Sequence, residues 1–384
     1  MTIDFEALRR RFPLLERKTY LNSGSYCALA DTVRDAFNSY MDDRLSVGAN
    51  WDVWVTKNEA VRAAMAGVLN VTPDEIAVTA SASAGINALA SALDFTGPRK
   101  KVVVSDFEFP TNAQIWHAQE RFGAQVLHVP RAADGYIPLE NFASLIDDRT
   151  QLVAVTQVCF RNGARLDIAG ITRLAQERGA RVMVDCYQAI GAMTVDARSL
   201  GVDFAVGGML KYLLGTAGIG FLYVRSGLIR ELVPRNSGWF AQQDIAAMDI
   251  TANRPSNTAR RFEAGTPPVA NCYAAEAGLK IILETGTDAI EGRVRALTRR
   301  CMEGLSAIGW PAATPVDDAR RGPMVAVPSR DAAGLQARLL EEDIVTSFRD
   351  NNLRASIHFY NSEGDIDRFV AAMAGHRGQF GPQS

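Results

Sequence analysis

The sequence is poor in the patterns that metal sites and disulfide frameworks need. Its five cysteines, at 27, 159, 186, 272 and 301, are odd in number and form no C-x-x-C pair, and its four histidines, at 117, 128, 358 and 376, show no H-x-x-x-H spacing. Neither structural zinc nor a disulfide framework is expected. Excess charge is missing as well: 41 Lys plus Arg face 43 Asp plus Glu, a formal net charge of -2. Such a chain presents no basic field to nucleic acid or anionic lipid, which leaves a small molecule as the default partner. Long apolar runs are also absent. The longest uncharged stretch with the look of a span, residues 77–93, is interrupted by Ser, Thr, Gly and Asn, and a membrane helix needs ~20 apolar residues. No membrane segment is expected. Four common signatures are missing too, namely G-x-x-x-x-G-K-[ST], G-x-S-x-G, H-E-x-x-H and a G-x-G-x-x-G that follows a strand. Gly215, Gly218 and Gly220 lead into a strand rather than a helix, so they fail the context of a dinucleotide loop.

What remains has the composition of an ordinary globular protein. With 47% hydrophobic and 22% charged residues the chain can bury a core. Its 384 residues suit one large domain and a smaller one, or two of similar size, at ~150 residues per domain. Near the start, Phe5, Leu8 and Phe12 fall at i, i+3 and i+7 and predict a short amphipathic helix. Arg9, Arg10 and Arg11 faintly resemble a twin-arginine export signal, but Glu16, Arg17 and Lys18 interrupt the apolar core that such a signal needs. A cytoplasmic location is expected.

From about residue 60, helix-period segments alternate with short β-branched runs, the pattern of an α/β protein with a largely parallel sheet. Val61, Met65, Val68 and Leu69 form a helical stripe, and residues 101–107, 124–130, 150–158 and 180–186 read as buried strands. Residues 216–224 follow residues 203–209 too closely for a helical crossover. That pair is expected to be antiparallel, and the sheet therefore mixed. After a loop-like stretch at 251–268 the chain turns helical from about 274 to 308 and then carries strands at 324–328 and 352–359, an α+β arrangement. The final ten residues read as a mobile tail.

Three local features bear on chemistry. In VTASASAGINALASAL, Ser81, Ala82, Ser83 and Gly85 stand at the start of a helix whose Ile86, Leu89 and Leu93 face the core. Free N–H groups and the positive dipole end there suit a phosphate, and ordinary capping by Ser81 or Ser83 is the other reading. Asp185 ends a buried strand where parallel sheets place their ligands, with Gln188 three residues on. A carboxylate there needs a cation or several donors, unless it only caps a helix. Lys211 follows a Gly-Gly pair among apolar neighbours, with no acid within five residues. Desolvation would make it a nucleophile toward carbonyls, although such lysines often reach out to solvent instead. A phosphate cradle, an acid for a ring nitrogen and a desolvated lysine together match one cofactor, pyridoxal 5′-phosphate.

In order and wording these segments resemble the class V aminotransferase family of fold-type I pyridoxal phosphate enzymes, which includes cysteine desulfurases, kynureninases and isopenicillin N epimerase-like proteins. The resemblance runs from about Tyr20 to Phe369. It implies a large domain, 21–265, with a seven-stranded mixed sheet; a small domain formed by 1–20 and 266–384; and a homodimer with sites at the subunit boundary. By resemblance, Lys211 is the Schiff-base lysine, Asp185 the partner of the ring nitrogen, Gln188 the donor to the phenolic oxygen, and Ala82 and Ser83 the phosphate loop. Within DFEFPTNAQIW, Phe109 matches the residue that stacks on the cofactor, where desulfurases carry histidine, and FPTN is closest to kynureninases. A core role is the alternative for Phe109. The fragments Lys-Tyr-Leu at 211–213 and Ser-Gly-Trp at 237–239 lean the same way, with the Trp239 indole N–H directed to the phosphate. Leu210 departs from the tyrosine that kynureninases usually place before the lysine. The FEAGTP segment resembles the loop that reaches the neighbouring subunit's phosphate site, with Thr266 as donor, or else is a simple turn. In LRASIHFYNSEGDID, Arg354 matches the clamp for the substrate α-carboxylate. Asn22, Arg161 and Asn112 are candidate polar groups of the pocket or else order loops.

Desulfurases attack sulfur with a mobile cysteine shortly before that arginine. Between Gly334 and Arg354 this chain has none, and Ser347 and Arg349 stand in the run instead. Persulfide-forming desulfurase activity is thereby disfavoured. Cys27, Cys159 and Cys186 are expected near the cofactor as packing residues. The expected function is a lyase that cleaves a bond at Cβ of an L-amino acid, of the C–S lyase or kynureninase kind. The alternatives are an aminotransferase or epimerase and, from a different class, a non-catalytic relative that only binds the cofactor.

Overall fold

The β-branched runs of the first two-thirds of the chain form the spine of the molecule. In the computed structural model, which describes residues 3–381, strands β1 (Thr19–Tyr20), β2 (Ile76–Thr79), β3 (Lys101–Ser105), β4 (Gln125–Val129), β5 (Thr150–Thr156), β6 (Arg181–Asp185), β7 (Phe204–Gly208), β8 (Gly220–Val224), β9 (Met324–Pro328), β10 (Ile344–Val345), β11 (Ser347–Arg349) and β12 (Asn352–Ser356) form three sheets. The largest has seven strands in the order β2-β8-β7-β6-β5-β3-β4. Strands β3 to β7 run parallel, and β8 is antiparallel to both β7 and β2, which gives the mixed sheet expected from the sequence.

Side chains alternate between two cores because successive residues of a strand point to opposite faces. Val103, Val153, Val155, Val182 and Val184 pack on one face with the helices Trp51–Leu69 and Val269–Thr285; Val102, Val104, Leu152, Ala154 and Met183 pack on the other with the helices Ala82–Ser91 and Pro110–His117. Each fully buried side chain of this size contributes about 1.5–3 kcal/mol from removal of apolar surface from water. A third core, with Leu297, Leu335, Leu353 and Phe369, lies against the antiparallel sheet β11-β12-β9. The N-terminal stretch joins this part: β1 pairs in parallel with β10, and Arg9 donates to Asp365 at 2.6 Å.

Several expectations need correction. β4 is not a buried strand. It forms the sheet edge, where Gln125 and His128 are exposed, and hydropathy alone does not tell edge from centre. β2 escaped the sequence reading because it is four residues long and runs into the small-residue stretch that follows. The strand at 352–359 stops at Ser356. The helical stretch at 274–308 is two helices, Val269–Thr285 and Thr287–Ala307, broken at Gly286 with φ +84°. The N-terminal helix ends at Arg9, so Phe12 packs from beyond it. The tail reading fails for residues 375–380, which lie in the helix Glu363–Phe380, buried through Phe369, Met373 and Phe380; residues 382–384 lie outside the described part. No helix among the described residues is long and apolar enough to cross a membrane.

Candidate active site

A cavity of about 280 Å³ opens where the C-terminal ends of β5 and β6, the turn after β7 and the start of the helix Ala82–Ser91 meet. Parallel sheets place ligands at such strand ends. Ala82, Ser83, Phe109, Asp185, Gln188 and Lys211 all line it, so six of the residues singled out from the sequence converge on one space.

Lys211 projects from the turn between β7 and β8. The turn is pinned by Tyr212, Leu213 and Leu214, all buried, and closed by Gly215 N donating to Met209 O at 2.8 Å. Leu214 has φ +61°, an uncommon conformation for a residue with a side chain. Lys211 Nζ lies 4.3 Å from the Tyr187 ring centroid and 5.9 Å from that of Phe109. Gly208 makes room for this wall, since a Cβ there would come 2.2 Å from the Tyr187 hydroxyl oxygen. Burial pushes the Lys211 ammonium down to about 8, opposed by Asp185 and reinforced by Arg354 and Arg349. Near neutrality roughly a tenth of the side chain is therefore the free, nucleophilic amine, far more than for an ordinary lysine.

Asp185, at the end of β6, is buried, and the one hydrogen bond to its carboxylate among the described residues comes from Tyr187 N at 2.9 Å. That turn hydrogen bond replaces the helix-capping alternative. Burial raises the Asp185 carboxyl above its ordinary range, while Tyr187 N and Lys211 pull it down. A buried carboxylate with so few donors is completed by a cationic ligand atom. Gln188 donates through Nε2 to Gly24 O at 3.1 Å, and its Oε1 is buried without a partner. At the other end of the cavity Ser81 Oγ caps the helix by accepting from Ala84 N at 3.1 Å, which leaves the N–H groups of Ala82 and Ser83 free of intrahelical partners. Capping and anion binding are thus both served. Gly220 permits the approach of β8, because a Cβ would lie 2.8 Å from Ala82 N. Phe109, 44% exposed, meets Phe160 edge-on with ring centroids 5.2 Å apart and is not a core residue.

Arg354 stands beside the cavity rather than in its wall. It is buried, donates to Phe160 O at 2.6 Å and to Ser347 Oγ at 3.0 Å, and keeps a buried Nε without a partner. Burial, then Arg349, lowers it to about 10. Behind the lysine turn, His358 Nε2 lies 3.0 Å from Tyr212 O and Phe359 N donates to His358 Nδ1 at 2.8 Å, an arrangement that requires the neutral Nε2–H tautomer. Burial accordingly depresses His358 to about 3.

Other expected residues fall elsewhere. Trp239 donates its indole N–H to Ile245 O and packs against Trp51 and Phe240, so in this chain it does not reach the cavity. Thr266 is exposed on a separate hollow with Thr79 and Asn87. Asn112 is fully buried in a different role: Nδ2 donates to Glu108 Oε2 at 2.5 Å and Oδ1 accepts from Trp116 Nε1 at 2.9 Å. Asn22 Oδ1 is buried without a partner, and Arg161 reaches toward Asp350 at 3.8 Å over the Phe160 ring. None of the five cysteines lines the cavity. All are buried, and burial pushes the Cys27 thiol up to about 12 and the Cys159 and Cys186 thiols upward as well.

Sequence reasoning missed Thr156 and Glu108. Thr156 lines the cavity beside Asp185, its register partner on β6, and the strand-end rule that found Asp185 applies to it equally. Glu108 carried no such signal. Its carboxyl is fully buried next to the site, accepting from Ser105 Oγ at 2.5 Å, Asn112 Nδ2 at 2.5 Å and Thr156 N at 2.8 Å, and burial pushes it up to about 8.

Residues 50–369 match the family described as aminotransferase class-V. The chain belongs to the class-V aminotransferase family. It is 32% identical to the uncharacterized aminotransferase YcbU of Bacillus subtilis over 96% of this chain and 97% of that protein. It is 33% identical to a kynureninase of Deinococcus radiodurans over 84% of this chain and 78% of that protein. Among solved structures, the apo cysteine desulfurase of Thermococcus onnurineus NA1 superposes with a TM-score of 0.88 at 24% identity, covering 98% of each chain, and so shares the fold. The class-V cofactor is pyridoxal 5′-phosphate, and the residues fit it: an under-donated buried carboxylate, an unpartnered amide oxygen, a free helix start and a desolvated amine surround one cavity.

A pH dependence follows. Only a neutral lysine amine attacks a carbonyl, and if Lys211 is the residue that holds the cofactor, its folded-state value of about 8, below the ordinary 10.5, sets the pH at which it does so. Capture of added pyridoxal phosphate by the cofactor-free protein is expected to accelerate as pH rises, with a midpoint near 8. Asp185→Asn removes the charge that holds the proton on and shifts the midpoint down. Stopped-flow absorbance across the neutral-to-alkaline range measures both, and a midpoint at the value of a solvent-exposed lysine would refute the assignment.

Proposed function

We propose that this class-V enzyme is a lyase that cleaves a bond at Cβ of an L-amino acid. One observation carries the reading: among the described residues the cavity wall holds a single amine, that of Lys211, and no thiol. A route that passes sulfur to a protein cysteine has no acceptor among the described residues, because the stretch before Arg354 presents Ser347 and all five cysteines are buried away from the space. The kynureninase relative supports the same reading.

In this proposal Asp185 holds the ring nitrogen, Ala82 and Ser83 the phosphate, Gln188 the phenolic oxygen, and Phe109 covers the ring. When bound, the cofactor supplies an electron sink for the amino acid's Cα. Arg354 binds the α-carboxylate through a guanidinium that Phe160 O and Ser347 already orient. Lys211 Nζ, in contact with Tyr187 and drawn below its usual proton affinity, takes the Cα proton and passes it on to the group that departs from Cβ, which leaves with the electron pair of the broken bond. Thr266, exposed and apart from this cavity, is assigned to the site of a second subunit in a homodimer.

A second reading, transamination, is favoured by the YcbU relative, which spans nearly the whole of this chain. Incubation of the holoenzyme with cysteine, cystine, kynurenine and aspartate separates the two. A lyase yields pyruvate, alanine or ammonia without a keto-acid acceptor, whereas turnover strictly dependent on an added keto acid would overturn the proposal.

A further inference from the structure

The strand that carries Ser347 also carries a cation for which the reading above has no use. β11 and β12 form a tight hairpin in which Ser347 pairs with Arg354 and Arg349 with Asn352, and Asp350 in the turn has φ +51°. Residues opposite each other on antiparallel strands share a face, as do residues two apart on one strand. Ser347, Arg349 and Arg354 therefore project to the same side. Arg354 shows which side that is, because its Nη1 donates to the carbonyl of Phe160, a wall residue of the cavity.

Arg161, next to Phe160, approaches the same hairpin. Its guanidinium lies 5.3 Å from the Phe160 ring centroid, and its Nε is 3.8 Å from Asp350 Oδ2. Three guanidinium groups thus gather at this hairpin beside the cavity, with the Asp350 carboxylate next to one of them. Arg354 is committed to the α-carboxylate. Arg349 is exposed, its one hydrogen bond among the described residues goes to the carbonyl of its neighbour Phe348 at 3.3 Å, and no acid pairs with it among them. Its charge is felt at both Lys211 and Arg354, where it adds to the larger effect of burial. An unpaired cation on the strand face that Arg354 turns toward the cavity is completed by an anion that arrives with the substrate.

We propose that Arg349, backed by Arg161, binds a second acidic group at the end of the substrate side chain, so that the enzyme acts on amino acids whose side chain ends in a carboxylate or sulfinate. The inference rests on the amino-acid reading of the cavity and narrows its substrate class.

Titration of the holoenzyme with L-aspartate, L-cysteine sulfinate and the uncharged L-asparagine, followed by the cofactor's visible absorption at constant ionic strength, tests it. At least one acid is expected to bind about tenfold more tightly than asparagine, and the two acids together tell carboxylate from sulfinate. Arg349→Met is expected to weaken the acids by about tenfold and leave asparagine unchanged, while Arg349→Lys keeps part of the preference. Equal affinity for acids and asparagine in the unaltered enzyme, or equal weakening of all three in Arg349→Met, overturns the inference and leaves the amino-acid reading standing. If no amino acid perturbs the absorption, that reading falls, and the inference with it.

Discussion

Lys211→Ala protein is expected to bind pyridoxal phosphate only reversibly and to lose turnover by a factor of about a thousand or more, the scale set by removal of a positioned general base. In the proposed scheme the variant deletes both the amine that would hold the cofactor covalently and the base that would move the Cα proton, and among the described residues the wall offers no second amine or thiol in their place. His358, the imidazole behind the turn, is locked as a neutral donor to Tyr212 O. Because Tyr212, Leu213 and Leu214 anchor the turn from the protein interior, loss of the Lys211 side chain leaves the fold intact. Borohydride reduction followed by peptide mapping checks the assignment. The parent protein should carry the reduced tag on Lys211 and the variant none, while a tag on another residue, or undiminished turnover in the variant, would refute it.

Glu108→Ala is expected to cost stability rather than chemistry. Its carboxyl accepts from a β3 hydroxyl, a helix amide and a β5 backbone N–H, so it ties the two strand ends to the helix that begins just after Phe109. Truncation leaves three buried donors without an acceptor, and each costs about 1–3 kcal/mol. Even with partial relaxation the loss is about 3–5 kcal/mol, a large share of the roughly 5–15 kcal/mol that separates most folded proteins from unfolding. Glu108→Gln keeps the volume and can still accept on one oxygen. Its amide, however, faces either the Asn112 Nδ2 donor or the donors from Ser105 and Thr156, and Asn112 cannot flip without losing Trp116, so one mismatch remains. Urea denaturation should place the parent highest, Glu108→Gln between, and Glu108→Ala lowest; an alanine variant as stable as the parent would refute the network.

The lysine and the aspartate were legible in the sequence because their local surroundings decide their chemistry. Lys211 sits among apolar neighbours after two glycines, and Asp185 ends a hydrophobic run, so both announce desolvation without knowledge of the rest of the fold. The mixed sheet was legible for a similar reason: the short spacing between β7 and β8 leaves no room for a crossover. Glu108 was illegible because an acid between two phenylalanines gives no sign of where its partners lie, and two of the three, Ser105 and Thr156, sit on different strands. The surroundings of Trp239 were hidden for a different reason. Its motif matched, but the indole partner Ile245 lies six residues away in a loop whose course no periodicity encodes. β4 shows the same limit, since alternation does not say which strand stands last in a sheet.

The contact between His358 and Tyr212 links two parts of the molecule that meet at the cavity. Tyr212 is the residue after the amine, and His358 lies two residues beyond β12, the strand that carries Arg354. One carbonyl thus moors the peptide bearing Lys211 to the segment bearing Arg354. Lys211 and Arg354 are thereby referred to a common anchor that neither side chain makes itself, so that loosening it would shift the one relative to the other.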